Sequence, residues 1–170
     1  MYIKIIDDQG KEIGCIEKKY LVPLGLRHQI ARVIVYARNT NTLLLQQRSL
    51  TDNSCPGMWD TSASGHVDGH EEPQHAAARE LQEELGITAD DGALQFVGSF
   101  NTSIEFDGGR LEREIYVYCL ELEEETSNFT VDQTEVEQAK WVGLRQPPLS
   151  IELTKGAAQA LQLFKGWLAS

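Results

Sequence analysis

The sequence predicts an α/β fold in which a mixed β-sheet carries helices on its faces. Three observations lead there. Apolar, β-rich runs recur at QIARVIVYA (29–37), TLLLQQR (42–48), LQFVGSF (94–100), EREIYVYCLEL (112–122) and AKWVGL (139–144). One strong helical segment, HAAARELQEEL (75–85), interrupts these runs, and a second follows Pro147 and Pro148. Strands interleaved with helices bury a sheet from both sides. The 170 residues show no boundary in composition, so one domain over 1–170 is expected.

Taken in order, MYIKII and EIGCIEKKY read as strands around the turn DDQGK, a β-hairpin over 1–22. LVPLGLRH, broken by Pro23 and Gly25, leads to the first two buried strands, which RNTN joins. SLTDNSCPGMWDTSAS (49–64) is a loop punctuated by Pro56 and Gly57. The helix at 75–85 is rich in Ala, Leu, Glu, Gln and Arg, with Gly86 where a C-terminal cap belongs. Three further strands follow. In the closing helix, 150–169, Ala157, Leu161, Phe164 and Leu168 recur at helical spacing, which suits packing on a sheet.

The formal net charge of −11 argues against nucleic acid or an anionic membrane surface as partner. A small anionic ligand remains compatible, because a metal ion inverts the local field of a site. Cys15, Cys55 and Cys119 are odd in number and widely spaced, as expected of reduced thiols in a cytoplasmic protein. MYIKIIDDQG turns acidic by residue 7, so neither a signal peptide nor a membrane anchor is expected there.

The acidic helix is the chemical feature. On a helical wheel, Ala77, Ala78, Leu81 and Leu85 share one arc, and Glu80, Glu83 and Glu84 share another, roughly opposite. Glu80 stands three residues from Glu83 and four from Glu84, so the carboxylates are expected to meet in space. Like charges at that spacing repel by a few tenths of a kcal/mol each, roughly. A hard divalent cation with oxygen ligands relieves the repulsion, while the simpler alternative is a solvated face. The surrounding spacing decides between them. Gly65, five free positions, Glu71, seven free positions, Arg79-Glu80, Leu81, one free position, Glu83-Glu84, one free position, Gly86 and Ile87 match the Nudix box at all nine specified positions. The chain therefore resembles the Nudix superfamily.

That resemblance implies a Nudix fold, an α/β/α sandwich with a mixed β-sheet, and a loop–helix–loop that binds Mg2+ or Mn2+. It implies hydrolysis of a diphosphate linkage in a nucleoside diphosphate joined to X, a small-molecule substrate. By position, Glu80, Glu83 and Glu84 would bind metal, with Gly65 through its carbonyl and Glu71 at the helix entrance. Arg79 would give structural support by pairing with a glutamate. Glu83, Glu84 and Glu80 are also catalytic candidates, and Glu135, in TEVEQAKWVGL, is one from outside the box. A homodimer is the assembly that family analogy suggests.

LLLQQRS, PGMWDTSASGHV and the box look like the branch near type I isopentenyl-diphosphate isomerase. His28, His66, Glu112 and Glu114 match metal-site positions of that isomerase. Ser64, however, stands in place of its cysteine, and Leu21 in place of a histidine. A hydroxyl, with its far higher pKa, is poorly suited to proton transfer at an alkene, so the hydrolase is the expected activity. Isomerase-like activity and a non-catalytic Nudix binding module are the alternatives. Glu112 and Glu114 share one face of a strand and, with His66, form a candidate second metal or substrate position; a solvent-facing edge is the competing reading. His28 is expected to be structural. His70 and His75 are expected to be exposed. Trp59 and Phe106 are candidates for stacking on a base, although aromatic residues more often fill cores. Arg48 would meet a phosphate or pair with a loop acid.

Overall fold

The structure, a computed structural model, describes residues 1–52, 54–90, 92–106, 109–145 and 151–170. The side chain of Phe106, a stacking candidate, lies outside what is described, as does the segment around Pro147 and Pro148. In chain order the elements are β1 (Tyr2–Ile6), β2 (Glu12–Glu17), α1 (Lys18–Leu21), β3 (His28–Ala37), β4 (Thr42–Arg48), β5 (Trp59–Asp60), β6 (Ala63–His66), α2 (Pro73–Leu85), β7 (Leu94–Phe106), β8 (Gly109–Leu122), β9 (Val136–Gly143) and α3 (Lys155–Leu168).

All ten residues of β3 are buried, because it is the central strand. It pairs parallel with β8 from His28–Arg113 to Ala37–Leu122. Along its other edge it pairs antiparallel with β6, from Ile30–His66 to Val33–Ala63, and then with β4. Such a strand reads as a continuous apolar run rather than an alternating one. Its alternation is still visible in what each face touches. Ile30, Ile34 and Tyr36 belong to the core that includes Phe164 of α3. Ala31, Val33 and Val35 belong to the core that includes Ala76, Ala77 and Leu81 of α2. The sheet is mixed, with a helix on each side, as expected. No helix among the described residues is long and apolar enough to cross a membrane.

Several boundaries differ from expectation for local reasons. Strand β2 ends at Glu17, and Lys18–Leu21 form a helical turn anchored by buried Leu21, with Pro23 beyond it. The 49–64 loop contains two short strands, β5 and the start of β6, too brief to show a hydrophobic period. Helix α2 begins at Pro73, whose fixed φ suits the first turn, and ends at Gly86 in the left-handed conformation (φ 64°). Helix α3 begins at Lys155, capped by the Thr154 hydroxyl, which accepts from Ala157 N at 3.1 Å.

Candidate active site

The site lies where α2 crosses β6. The wheel expectation needs one correction here. Glu80 and Glu84 are not on the face opposite the apolar arc but on its flanks, 7% and 5% exposed; only Glu83 faces water. The cause is Gly65. A Cβ at Gly65 would collide with the Glu80 carboxylate, so the missing side chain lets a charged group sink against β6. Nor do the three carboxylates meet at one point. Among the described residues, no three carboxylate, imidazole or thiol groups form a ready-made metal cage.

Instead, Arg79 stands between them. Its Nη1 donates to Glu80 Oε1 at 2.8 Å and Glu83 Oε2 at 3.0 Å. Its Nη2 donates to Glu71 Oε1 at 2.6 Å and to the His66 carbonyl at 3.0 Å. One guanidinium thus ties the helix to the entering loop. Burial works against ionisation of Glu71, but Arg79 and the Asp68 N–H outweigh it and hold its carboxyl below the usual range. For Arg79, burial is likewise overcome by Glu71 and Glu80, and the guanidinium is held charged.

Glu84 is different. Its Oε2 accepts from Gln46 Nε2 at 2.6 Å and from Ser64 N at 3.1 Å, and among the described residues it has no cationic partner. Burial, then the neighbouring Glu80 charge, pushes its carboxyl well above the usual carboxylate range. Burial also raises Glu80, partly offset by Arg79. Glu135, exposed at the end of the loop before β9, adds its negative field to both.

Two supporting residues gave no motif signal. Gln46 follows three leucines in β4 and looks like a strand end, yet it is 2% exposed and holds Glu84. Lys4, also buried, donates to the Glu71 carbonyl at 2.6 Å and so braces the box loop from β1. The only hint in either case is a polar side chain at a position whose strand neighbours are core.

The candidate second position separates into two places. His66 stacks on His28, ring centroids 5.2 Å apart. His28 faces Arg113 across the parallel ladder, so by strand alternation Glu112 and Glu114 point to the other side of the sheet. There Glu114 accepts from Gln29 at 3.3 Å, and Glu112 pairs with Arg110 at 2.9 Å and Arg27 at 3.5 Å. Burial, then the Arg113 charge, lowers His28 to about 4. Burial and the surrounding positive charges lower His66 to about 3. Trp59 packs into the α3-side core, and Arg48 pairs with Asp52 at 2.6 Å. His70 and His75 are exposed.

Comparison with known proteins places this geometry in a family. The model of the NUDIX domain matches residues 26–164. The chain is 31% identical over 122 residues to Nudix hydrolase 3 of Arabidopsis thaliana, covering 69% of this chain but only 16% of that protein. It is 34% identical over 116 residues to the isopentenyl-diphosphate Delta-isomerase of Serratia proteamaculans, spanning 66% of this chain and 63% of the relative. Among solved structures, a Deinococcus radiodurans protein superposes with a TM-score of 0.70 at 17% identity, covering 95% of this chain and 98% of the other. A MutT NUDIX hydrolase from Burkholderia pseudomallei gives 0.65 at 21% identity, covering 81% and 97%.

Proposed function

The chain belongs to the Nudix family, and on that premise we propose that it is a single-domain, divalent-metal-dependent hydrolase that cleaves the diphosphate linkage of a nucleoside diphosphate joined to X. The observation that carries this reading is Glu84: a buried carboxylate beside a second one, Glu80, with hydrogen bonds but no cation among the described residues. That donor set fits a hard divalent ion such as Mg2+ or Mn2+, which prefers carboxylate oxygens and keeps open positions for phosphate and water. Glu80, Glu83 and Glu84 would hold it, with Gly65 and Glu71 contributing from the loop. Bound there, it would supply charge neutralisation at phosphorus and a more acidic water.

The chain's own residues do the rest. Arg79 fixes Glu80 and Glu83 relative to the loop, so that these carboxylates do not need to reorganise. Gln46 and the Ser64 amide fix Glu84. Glu83 and Glu135, both open to solvent, would take the proton of the attacking water. Attack at phosphorus breaks one P–O bond and releases a monophosphate. A cytoplasmic location, no nucleic-acid or membrane partner, and a homodimer belong to the same proposal.

The test is product release from a panel of nucleoside diphosphate derivatives with Mg2+ or Mn2+. Glu83→Gln and Glu84→Gln should each lower kcat by about 100-fold or more, the scale of losing a charge-stabilising group, and Glu135→Gln by less. Metal-dependent turnover that survives both box changes would remove the assigned roles.

The names of several relatives favour a second reading, isomerisation of isopentenyl diphosphate. The chain is 31% identical over 147 residues to the isopentenyl-diphosphate Delta-isomerase of Aliivibrio fischeri, covering 82% of this chain and 78% of that one. Ser64 in place of the thiol speaks against it, as does the guanidinium of Arg113 facing His28, which repels a cation there. Incubation with isopentenyl diphosphate and either metal should give no dimethylallyl product. A non-catalytic binding module would instead bind nucleotides without turnover in the hydrolase panel.

A further inference from the structure

Arg113 is a cation without a counter-charge among the described residues. Among the described residues it makes no ion pair and no side-chain hydrogen bond, and its Nε is buried without a partner. Two neighbouring nitrogens share that condition, Arg32 Nε and His28 Nε2. All three lie on the same face of the sheet. His28 and Arg113 face each other across β3 and β8, and Arg32 follows His28 by four residues on β3, on the face that packs against α3. Buried donors in native proteins are nearly always satisfied, so three orphans on one face of the sheet mark that face for a polar ligand.

Charge identifies the ligand. Arg32 and Arg48 both pair with Asp60, the latter at 3.5 Å. Arg48 has Asp52 as well, so among the described residues Arg113 is the guanidinium of the three with no carboxylate, in a chain of net charge −11. The first turn of α3 lies against the same group: a Cβ at Gly156 would come within 2.6 Å of Arg32 Nη2. A helix start adds positive potential of its own. An unpaired, half-buried guanidinium is costly until an anion arrives, and its planar fork suits phosphate oxygens.

The group is also next to the proposed reaction centre. Ser64 is the register partner of Arg32 and gives its N–H to Glu84. One residue of β6, a strand that pairs with β3, therefore lies between Arg32 and Glu84.

We propose that Arg113 and Arg32 form an anion subsite under α3 that takes the phosphate of the substrate lying beyond the bond that is cut. This rests on the hydrolase reading for the identity of the substrate, though not for the existence of the subsite. The consequence is selectivity: substrates with a further phosphate on the X side are preferred over those whose X is neutral.

The probe is inorganic pyrophosphate, titrated calorimetrically into protein stripped of metal with EDTA. Without metal the acidic cluster repels pyrophosphate, so saturable binding reports the cations. Wild type should bind one equivalent. Arg113→Gln should weaken binding about tenfold, the scale of losing a charged hydrogen-bonding partner. Arg113→Lys should fall between the two, and Arg38→Gln, an equal charge change at an exposed position, should bind as wild type. Absence of saturable binding to wild type, or affinity of Arg113→Gln within about twofold of wild type, overturns the subsite. If Arg113→Gln does not fold, Arg113→Lys decides: unchanged affinity overturns the subsite, and a drop of about threefold or more supports it. With a turned-over substrate, Arg113→Gln should raise KM about tenfold and leave kcat within about threefold. Binding that depends on Arg113 in a protein that hydrolyses nothing would refute the hydrolase reading and keep the subsite. Metal-dependent hydrolysis indifferent to Arg113 would do the reverse.

Discussion

At Glu84, stability and chemistry are opposed. The carboxylate is 5% exposed, accepts two hydrogen bonds and has no cation among the described residues. Removing a buried, uncompensated charge while keeping the shape relieves desolvation. Glu84→Gln should therefore stabilise the metal-free protein at pH 8 by about 1–2 kcal/mol, measured by urea unfolding, while lowering metal-dependent turnover by about 100-fold or more. A destabilised Glu84→Gln would mean that its charge is compensated after all. Gly65 is the second sensitive position. A methyl there would push the Glu80 carboxylate off β6, so Gly65→Ala should lower kcat about 100-fold, as expected of a displacement on the order of 1 Å. Full activity of that variant would show that Glu80 does not need its buried position.

Among the elements, the β1–β2 hairpin does more than extend the sheet. It lies outside the residues matched by the family, yet Lys4 Nζ donates to the Glu71 carbonyl, Lys4 N to the Val67 carbonyl at 3.1 Å, and Gly69 N to the Tyr2 carbonyl at 2.9 Å. The Cys15 thiol adds a contact to the Gly69 carbonyl at 3.2 Å. These bonds hold the loop whose Glu71 anchors Arg79. Lys4→Met leaves the stem and removes the donor, so it should cost about 1–3 kcal/mol and speed amide exchange at Gly69 and Glu71. Exchange at those amides equal to wild type would deny the bracing role. On the opposite layer, Thr154→Ala removes the α3 cap and should cost about 1 kcal/mol, read from the urea midpoint.

For the molecule as a whole, the stacked histidines set an acid limit. His28 is fully buried and its folded-state value is lowered from 6.5 to about 4. The unfolded chain then binds the proton more readily, so its contribution is complete above pH 6.5 and is lost as pH falls through about 4. The span corresponds to about 3 kcal/mol, and His66, lowered to about 3, extends the loss further. Thermal unfolding across this window should show a steep acid limb that His28→Gln flattens. An unchanged slope would mean that other groups set the limit.

The local elements were legible because their causes are local. The central strand, the helix from the mid-seventies to Leu85 and its Gly86 cap follow from apolar runs, propensity and backbone freedom. The nine box positions made the family readable too, since their spacing is a sequence property. The burial of Glu80 and Glu84 was not legible: a wheel places glutamates by angle alone, and only the packing of α2 on the bare backbone at Gly65 shows that this flank is dry. Gln46, Lys4 and Arg113 were equally silent, because each acts on a residue far away in the chain. The sequence alone thus determined the long strands, the two long helices, the family and the acidic residues of the box, but not the short elements α1, β5 and β6. The tertiary structure decided which of those acids are desolvated, which cation holds them, and that Arg113 has no carboxylate among the described residues, because desolvation and pairing depend on distances between strands that the sequence does not record.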